Sequence, residues 1–203
     1  MKTLTVFTPS FNRAYTLHKC YESLKRQTSK DFVWLIVDDG STDNTKEIVE
    51  KWIKEDKVEI RYHYQKNQGM HGAHNTAYEL IDTEINTCID SDDYMTDDAV
   101  EKIVDFWNEN RHSGLAGFAA LDAYENGEVI GTKLPTNIEE TTYFDIYNTL
   151  GVVGAKKYIS RSDLTRLYPY PIFEGEKYVS LAYKYAKLDE NYKLGLMNEV
   201  VCI

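Results

Sequence analysis

Long apolar runs are missing from this chain. No stretch of its 203 residues approaches the length needed to cross a bilayer, and no secretory leader opens it. Cysteine is scarce: Cys20, Cys88 and Cys202 lie far apart, in no metal-ligand spacing, and two of them sit in apolar, strand-like runs. That pattern excludes a disulfide scaffold and a structural zinc site, and it fits packed, reduced thiols in a cytoplasmic protein. Basic residues are outnumbered, with 23 Lys and Arg against 33 Asp and Glu, for a formal net charge of -10. That balance argues against a broad nucleic-acid or anionic-membrane surface, and not against a nucleotide screened locally by a metal. Proline numbers only 4, and there is neither an internal repeat nor a low-complexity segment. The remaining composition, 42% hydrophobic and 28% charged, is that of an ordinary globular protein long enough for one domain with a sizeable core.

What the chain does have is a set of polar clusters, each placed directly after an apolar run. Leu4–Phe7 runs into Thr8-Pro9-Ser10-Phe11-Asn12-Arg13, and Phe32–Val37 into Asp38-Asp39-Gly40-Ser41-Thr42-Asp43. Val58–Tyr64 precedes the Gly-rich stretch Asn67–His74, and Ile85–Ile89 precedes Asp90-Ser91-Asp92-Asp93. The apolar runs predict strands, with Phe32–Val37 covered on both faces because it is apolar throughout. Helical spacing follows each cluster: Leu17, Cys20 or Tyr21, and Leu24; then Ile48, Val49, Trp52 and Ile53 behind a capping box of Asn44 and Glu47. A third helix is predicted from about Ala73 to Ile81, and a fourth from Asp97 to Glu109 with Val100, Ile103, Val104 and Trp107 inward. Four successive βα units predict an α/β fold with a mostly parallel, right-handed wound sheet flanked by helices. All four polar clusters then crowd the carboxyl edge of that sheet, where such sheets bind ligands.

After Gly114 the pattern changes to a smaller α+β half. Leu115–Tyr124 and Glu128–Thr132 flank Asn126-Gly127, a hairpin signal, and a Pro-bearing loop covers Thr132–Glu140. Lys156–Ser160 reads as a strand and Tyr178–Leu188 as a helix with Val179, Ala182 and Ala186 inward. Glu199–Ile203 reads as a strand cut short, which predicts a C-terminally truncated chain. Any membrane attachment would then come from a partner or from sequence beyond Ile203. A single domain over 1–203 is expected, divided at about residue 112.

The densest chemistry is the acidic loop. Three carboxylates in four residues repel one another unless a cation or a web of donors neutralises them. Oxygen-only ligands suit Mg²⁺ or Mn²⁺, which often lends its open positions to substrate phosphates. The alternative is a solvated turn capping the next helix. A calcium loop is excluded because Met95 stands where its glycine is required. His63, His71 and His74 cluster in sequence but lack the i,i+4 spacing of a helical zinc pair. Tyr143, Tyr147, Tyr168 and Tyr170 are expected to be core or edge residues before they are acceptor-stacking ones.

Taken in order and spacing, Thr8–Arg13, Val37–Asp43, Asn67-x-Gly69 with Asn75, and Asp90-Ser91-Asp92-Asp93 resemble the motifs of family 2 glycosyltransferases of the GT-A fold. The likeness covers roughly the first 110 residues, and continues more loosely through Phe173-Glu174-Gly175-Glu176. The resemblance implies a nucleotide-sugar-binding half over 1–112 and an acceptor-side half over 113–203. It implies that Thr8 and Pro9 line the nucleoside pocket, with Asn12 in the same loop and Arg13 near base or phosphate. Asp39 would accept from the N3–H of a uracil-like base while Asp38 holds the turn, which favours a uridine diphosphate sugar. Asn67, Gly69 and Asn75 would complete the nucleotide-sugar site, and His74 stands where the family has a basic residue. Asp90, with Ser91, would reach the ribose, and Asp92 with Asp93 would hold Mn²⁺ or Mg²⁺ against the diphosphate. Glu176, or alternatively Glu174, would be the catalytic base, with Glu176 opening a helix from about Lys177.

The activity implied is inverting transfer from a nucleoside-diphosphate sugar to a hydroxyl of a saccharide or lipid-linked acceptor. Its setting would be surface polysaccharide or glycolipid assembly in the cytoplasm, with peripheral association at the inner face of the membrane left open. Two other readings stand beside it. A sugar-nucleotide pyrophosphorylase would want a Gly-rich, basic loop after the first strand, and Thr8–Arg13 has no glycine. A catalytically silent nucleotide-sugar-binding domain would differ only in failing to turn its ligand over.

Overall fold

The computed structural model describes residues 2–175 and 178–203. Its first half alternates strand and helix: β1 (Leu4–Ser10), α1 (His18–Arg26), β2 (Phe32–Asp38), α2 (Thr45–Glu55), β3 (Ile60–Tyr64), α3 (Gly69–Leu80), β4 (Ile85–Cys88) and α4 (Ala99–Asn110). The second half adds β5 (Gly117–Asp122), β6 (Glu140–Thr141), α5 (Tyr143–Asn148), β7 (Lys156–Arg161), α6 (Ser162–Leu167), α7 (Ala182–Asp189) and β8 (Leu194–Cys202). All these strands join one sheet in the order β3-β2-β1-β4-β7-β5-β8-β6. The first four are mutually parallel, as four βα units require. β7 enters antiparallel between β4 and β5, and carries the sheet without a break from one half into the other. The fold is thus the expected α/β sandwich of one central sheet flanked by helices.

Packing explains why these segments take these forms. Every residue of β2 is buried, as a central strand covered on both faces demands. One core joins Leu4, Val6, Trp34 and Ile36 of the sheet to Leu17, Leu24, Val49 and the α4 face Val100, Ile103, Val104 and Trp107. On the other face Phe7, Leu35 and Val37 pack against Ala73, Ala77 and Tyr78 of α3. Burying a residue of this size stabilises by about 1.5–3 kcal/mol relative to exposure, so the apolar spacing fixes which helix face meets the sheet.

Several boundaries differ from the sequence expectation, each for a visible reason. β1 continues through Thr8 and Pro9 to Ser10, because its ladder with β2 runs on to Asp38. Its ladder with β4 stops at Phe7, so the missing N–H of Pro9 falls where no partner needs it. α2 starts where expected, but Asn44 makes no side-chain cap. Asp43 does so, its carboxylate accepting from the Thr45 backbone N–H and hydroxyl. Ile53 is exposed rather than inward. α3 begins at Gly69, inside the stretch expected to be loop.

In the second half, Asn126-Gly127 does turn the chain, yet the arm beyond it makes only the single bridge Ala123–Val129. α7 starts at Ala182, later than expected, and its buried face carries Lys184 and Leu188 while Ala186 is exposed. β8 pairs in parallel with β5, and Ile203 exchanges backbone hydrogen bonds with Tyr94. All three cysteines are free thiols. Among the described residues, no helix is long and apolar enough to cross a membrane.

Candidate functional site

At the carboxyl ends of β1 to β4 lies a cleft of about 790 Å³. Its walls come from all four βα connections: Pro9 and Ser10 at the end of β1 with Phe11 and Arg13 beyond it, Asp39 after β2, Asn67 after β3 with Gly69, Met70 and Ala73 of α3, and Asp90, Ser91 and Asp92 after β4. The crowding follows from the parallel winding, which delivers every such loop to one sheet edge.

The paired aspartates at the end of β2 divide their work. Asp38 is buried and holds the turn, accepting from Ser41 N–H at 2.8 Å and from the Tyr62 hydroxyl at 2.5 Å. Asp39 is also buried, but its carboxylate reaches the next loop. It accepts from Gln65 Nε2 at 2.7 Å and from the backbone N–H of Gln68 and Gly69 at 2.8 and 2.9 Å. Those amides open α3, so Asp39 caps that helix from the loop after β2 and places an anion at its positive end. Glycine is required at two points here. Gly69 enters α3 at φ +79, and Gly40 turns at φ +88 where a Cβ would stand 3.0 Å from Asn67 N. Asn67 adds its own tie, donating Nδ2 to the Asp39 carbonyl at 2.8 Å.

Two further predicted residues act as clasps. Asn12, at φ 54, accepts through Oδ1 from the N–H of Thr42 and Asp43, and donates its own N–H to Ser41 Oγ. It binds the β1 loop to the β2 loop and does not line the cleft. Asn75 exchanges a pair of hydrogen bonds with the Tyr170 backbone, donating at 2.9 Å and accepting at 2.8 Å. It fastens α3 to the chain leading to Glu174, again away from the cleft walls. Thr8 is fully buried, its hydroxyl accepting from Trp34 Nε1 at 3.0 Å. The wall expected from Thr8 and Pro9 is made by Pro9 and Ser10 instead. Arg13 stands at the rim beside the Tyr15 hydroxyl at 2.5 Å.

The acidic loop splits in the same manner. Asp90 and Asp92 are exposed on the cleft. Asp93 turns away to Lys157 of β7, at 3.9 Å, which lies equally close to Asp122 of β5. Burial raises the pKa of the Asp93 carboxyl, with Lys157 opposing and the neighbouring acids adding to the rise. Burial also works against the charge of Lys157, but Cys202, Asp122, Cys88 and Asp93 around it raise its pKa overall. The Cys20 thiol underpins the turn, donating to the carbonyls of Asp90 and Asp93. Among the described residues no group of three or more His, Cys, Asp or Glu side chains is arranged to hold a metal alone. Two cleft-facing carboxylates fit a hard cation that completes its shell with water and substrate phosphate, as Mg²⁺ does.

His71 and His74 are both buried. His74 is buried among Phe7, Tyr78 and Tyr170, and its Nδ1 pairs with the Met70 carbonyl. Burial lowers its pKa to about 4, so it stays neutral and offers no charge to a phosphate. His71 is buried with neither ring nitrogen hydrogen-bonded. Tyr143 stacks on Tyr185 and Tyr170 is buried, as core residues. Glu174 is exposed in a turn with Gly175, whereas Glu176 lies outside the described residues. Ser10, Phe11, Met70 and Ala73 are cleft residues that sequence reasoning did not single out. Phe11 and Met70 carry a usable signal, being apolar residues left about half exposed at the ligand edge of a parallel sheet.

Comparison with known proteins bears on this geometry. A family model described as "Glycosyl transferase family 2" matches residues 5–167. "Glycosyltransferase GlyA" of Streptococcus pneumoniae is 29% identical over 98% of this chain and 29% of its own length. A "GalNAc(5)-diNAcBac-PP-undecaprenol beta-1,3-glucosyltransferase" of Campylobacter jejuni is 33% identical over 54% of this chain and 36% of its own. This chain therefore spans little more than a third of those relatives at most. Among solved structures, S. aureus TarS 1-349 in complex with UDP superposes with a TM-score of 0.79 at 22% identity, over 100% of this chain and 60% of that one. The mannosyltransferase PcManGT from Pyrobaculum calidifontis, in complex with GDP-Man and Mn²⁺, gives 0.68 at 19% identity over 98% and 55%.

Proposed function

Because this chain belongs to glycosyl transferase family 2, we propose that its cleft binds a uridine diphosphate sugar with Mn²⁺ or Mg²⁺. The sugar is then transferred, with inversion, to a hydroxyl of a saccharide or lipid-linked acceptor. The observation that carries this reading is the convergence of all four βα loops on one cleft with two free carboxylates at its mouth. Surface polysaccharide, teichoic acid or glycolipid assembly is the setting, given relatives named as a "Chondroitin synthase" and a "Teichoic acid poly(glycerol phosphate) polymerase".

Negative charge grows on the diphosphate as the sugar C1–O bond breaks, and a bound divalent cation offsets it as a Lewis acid. This chain's residues do the rest. Asp92 would hold the cation, joined by Asp90 rather than by the expected Asp93, which does not line the cleft; Asp90 would also reach the ribose. Asp39, fixed by its three donors, presents the remaining acceptor capacity of its carboxylate to an imide N–H. The acceptor hydroxyl is a poor nucleophile and gives up its proton to a carboxylate on the opposite face of the sugar. Glu176 is assigned that role, with Glu174 as the alternative. Single displacement of this kind inverts the anomeric centre.

Release of free nucleotide from a panel of nucleotide sugars, with Mn²⁺ and a saccharide acceptor panel, tests the reading. A uridine diphosphate sugar should be consumed, and Glu176→Gln should lower transfer by about 10²-fold with metal-dependent nucleotide binding intact. The same loss in Glu174→Gln alone would move the base to Glu174. Near-native transfer by both variants would place it elsewhere, and no turnover of any nucleotide sugar would favour a silent binding domain.

A further inference from the structure

The acidic loop carries three carboxylates, yet only two of them face the cleft. Asp93, its side chain 41% exposed, lies instead beside Lys157, whose side chain is 11% exposed and stands 3.9 Å from both Asp93 and Asp122. Lys157 lies in β7, the strand that joins the two halves of the sheet, where it pairs with Ala120 of β5; the ladder with β4 ends two residues away at Ile159. The backbone of the loop is fixed independently. Asp93 N–H closes a turn onto the Asp90 carbonyl, the Cys20 thiol donates to both carbonyls, and Tyr94 is bonded to Ile203. A cation carried by the sheet therefore stands beside the one carboxylate of the loop that does not line the cleft.

We propose that Lys157 is a positioning residue that withholds Asp93 from the metal, leaving Asp90 and Asp92 as the loop's only ligands. The inference rests on the cleft's reading as a metal–nucleotide site. Its consequence is an order of events. Two carboxylates hold a hard cation weakly unless phosphate oxygens complete the shell, whereas three crowded carboxylates would hold it unaided. Lys157 thus makes cation binding conditional on the nucleotide, and keeps a loose metal from occupying the cleft without its substrate.

The test measures Mn²⁺ binding by the loss of the free-ion electron paramagnetic resonance signal, with and without uridine diphosphate, on the full chain. Wild-type protein should take up Mn²⁺ strongly only with the nucleotide. Lys157→Met, which frees Asp93, should tighten nucleotide-free Mn²⁺ binding by about tenfold or more, and Asp93→Asn in that background should reverse the gain. A merely structural lysine would not produce tighter binding, nor its reversal. Because Lys157→Met buries a methionine beside two acids, Asp93→Asn alone serves if the first variant does not fold. It should leave Mn²⁺–nucleotide affinity within about twofold of wild type while Asp92→Asn abolishes it. Equal loss in Asp93→Asn and Asp92→Asn, or unchanged nucleotide-free affinity in Lys157→Met, would overturn the role of Lys157. Binding unaffected by Asp92→Asn would instead bring down the metal reading itself, and this proposal with it.

Discussion

Among single residues at the cleft, Asp39 has a structural job that comes before any ligand. Its carboxylate fixes three donors of the following loop and helix before any ligand arrives. Hydrogen bonds to a charged group contribute about 1.5–3 kcal/mol, and an amide in its place would point an NH₂ at donors it cannot accept from. Asp39→Asn should therefore lower unfolding free energy by about 1.5–3 kcal/mol and weaken uridine diphosphate binding together. Chemical denaturation and calorimetric titration of the variant check this. Stability within about 0.5 kcal/mol of wild type would contradict the capping role. The residue scale is also where sequence reasoning fell shortest. Asp93 and Asp92 are identical in type and adjacent, so nothing local tells which one faces Lys157. That lysine lies more than sixty positions away on a strand of the other half.

At the scale of elements, α3 shows what was legible and what was not. Its apolar positions Ala73, Ala77 and Tyr78 mark the buried face, so the helix could be read from spacing. Its start could not, because Gly69 and Gly72 are poor helix residues and the cap comes from Asp39, in the loop after β2. The parallel strands were legible for the opposite reason: β2 is apolar at nearly every position and needs no partner to be recognised. The second half was harder because its order is non-local. β8 pairs with β5 across most of that half, and the buried face of α7 holds Lys184, which a hydrophobic pattern counts as solvent-facing.

Lys184 survives there because it donates to the carbonyls of Thr165 and Tyr168 and lies over the rings of Tyr78 and Tyr170. α3 also yields a pH prediction through His74. Its pKa is about 4 when folded and ordinarily 6.5, so the unfolded chain binds more protons between those values. Stability must then fall as pH drops from about 6.5 to about 4, by about 3 kcal/mol from this residue. His74→Gln, which cannot take up the proton, should lose correspondingly less over that window in denaturation curves. Identical slopes for variant and wild type would show that His74 is not held neutral by its cage.

For the whole molecule, charge and topology meet at one edge. A chain of net charge -10 has little to offer a diphosphate in general, and two of its carboxylates, Asp90 and Asp92, stand exposed on the cleft. On the proposed reading, repulsion of that kind would make nucleotide binding depend on a cation between the two anions. Four loops reach the cleft because the sheet is parallel there, and the second half of the chain stays beside it because β7 continues the same sheet. The measurement that bears most directly on the account is isothermal titration of uridine diphosphate into wild-type protein and Asp92→Ala, each with Mn²⁺ and with excess chelator. Wild type with Mn²⁺ should bind at least about tenfold more tightly than in the other three conditions, a difference of about 1.4 kcal/mol or more. Equal affinity with and without the metal, or a native affinity in Asp92→Ala, would contradict it.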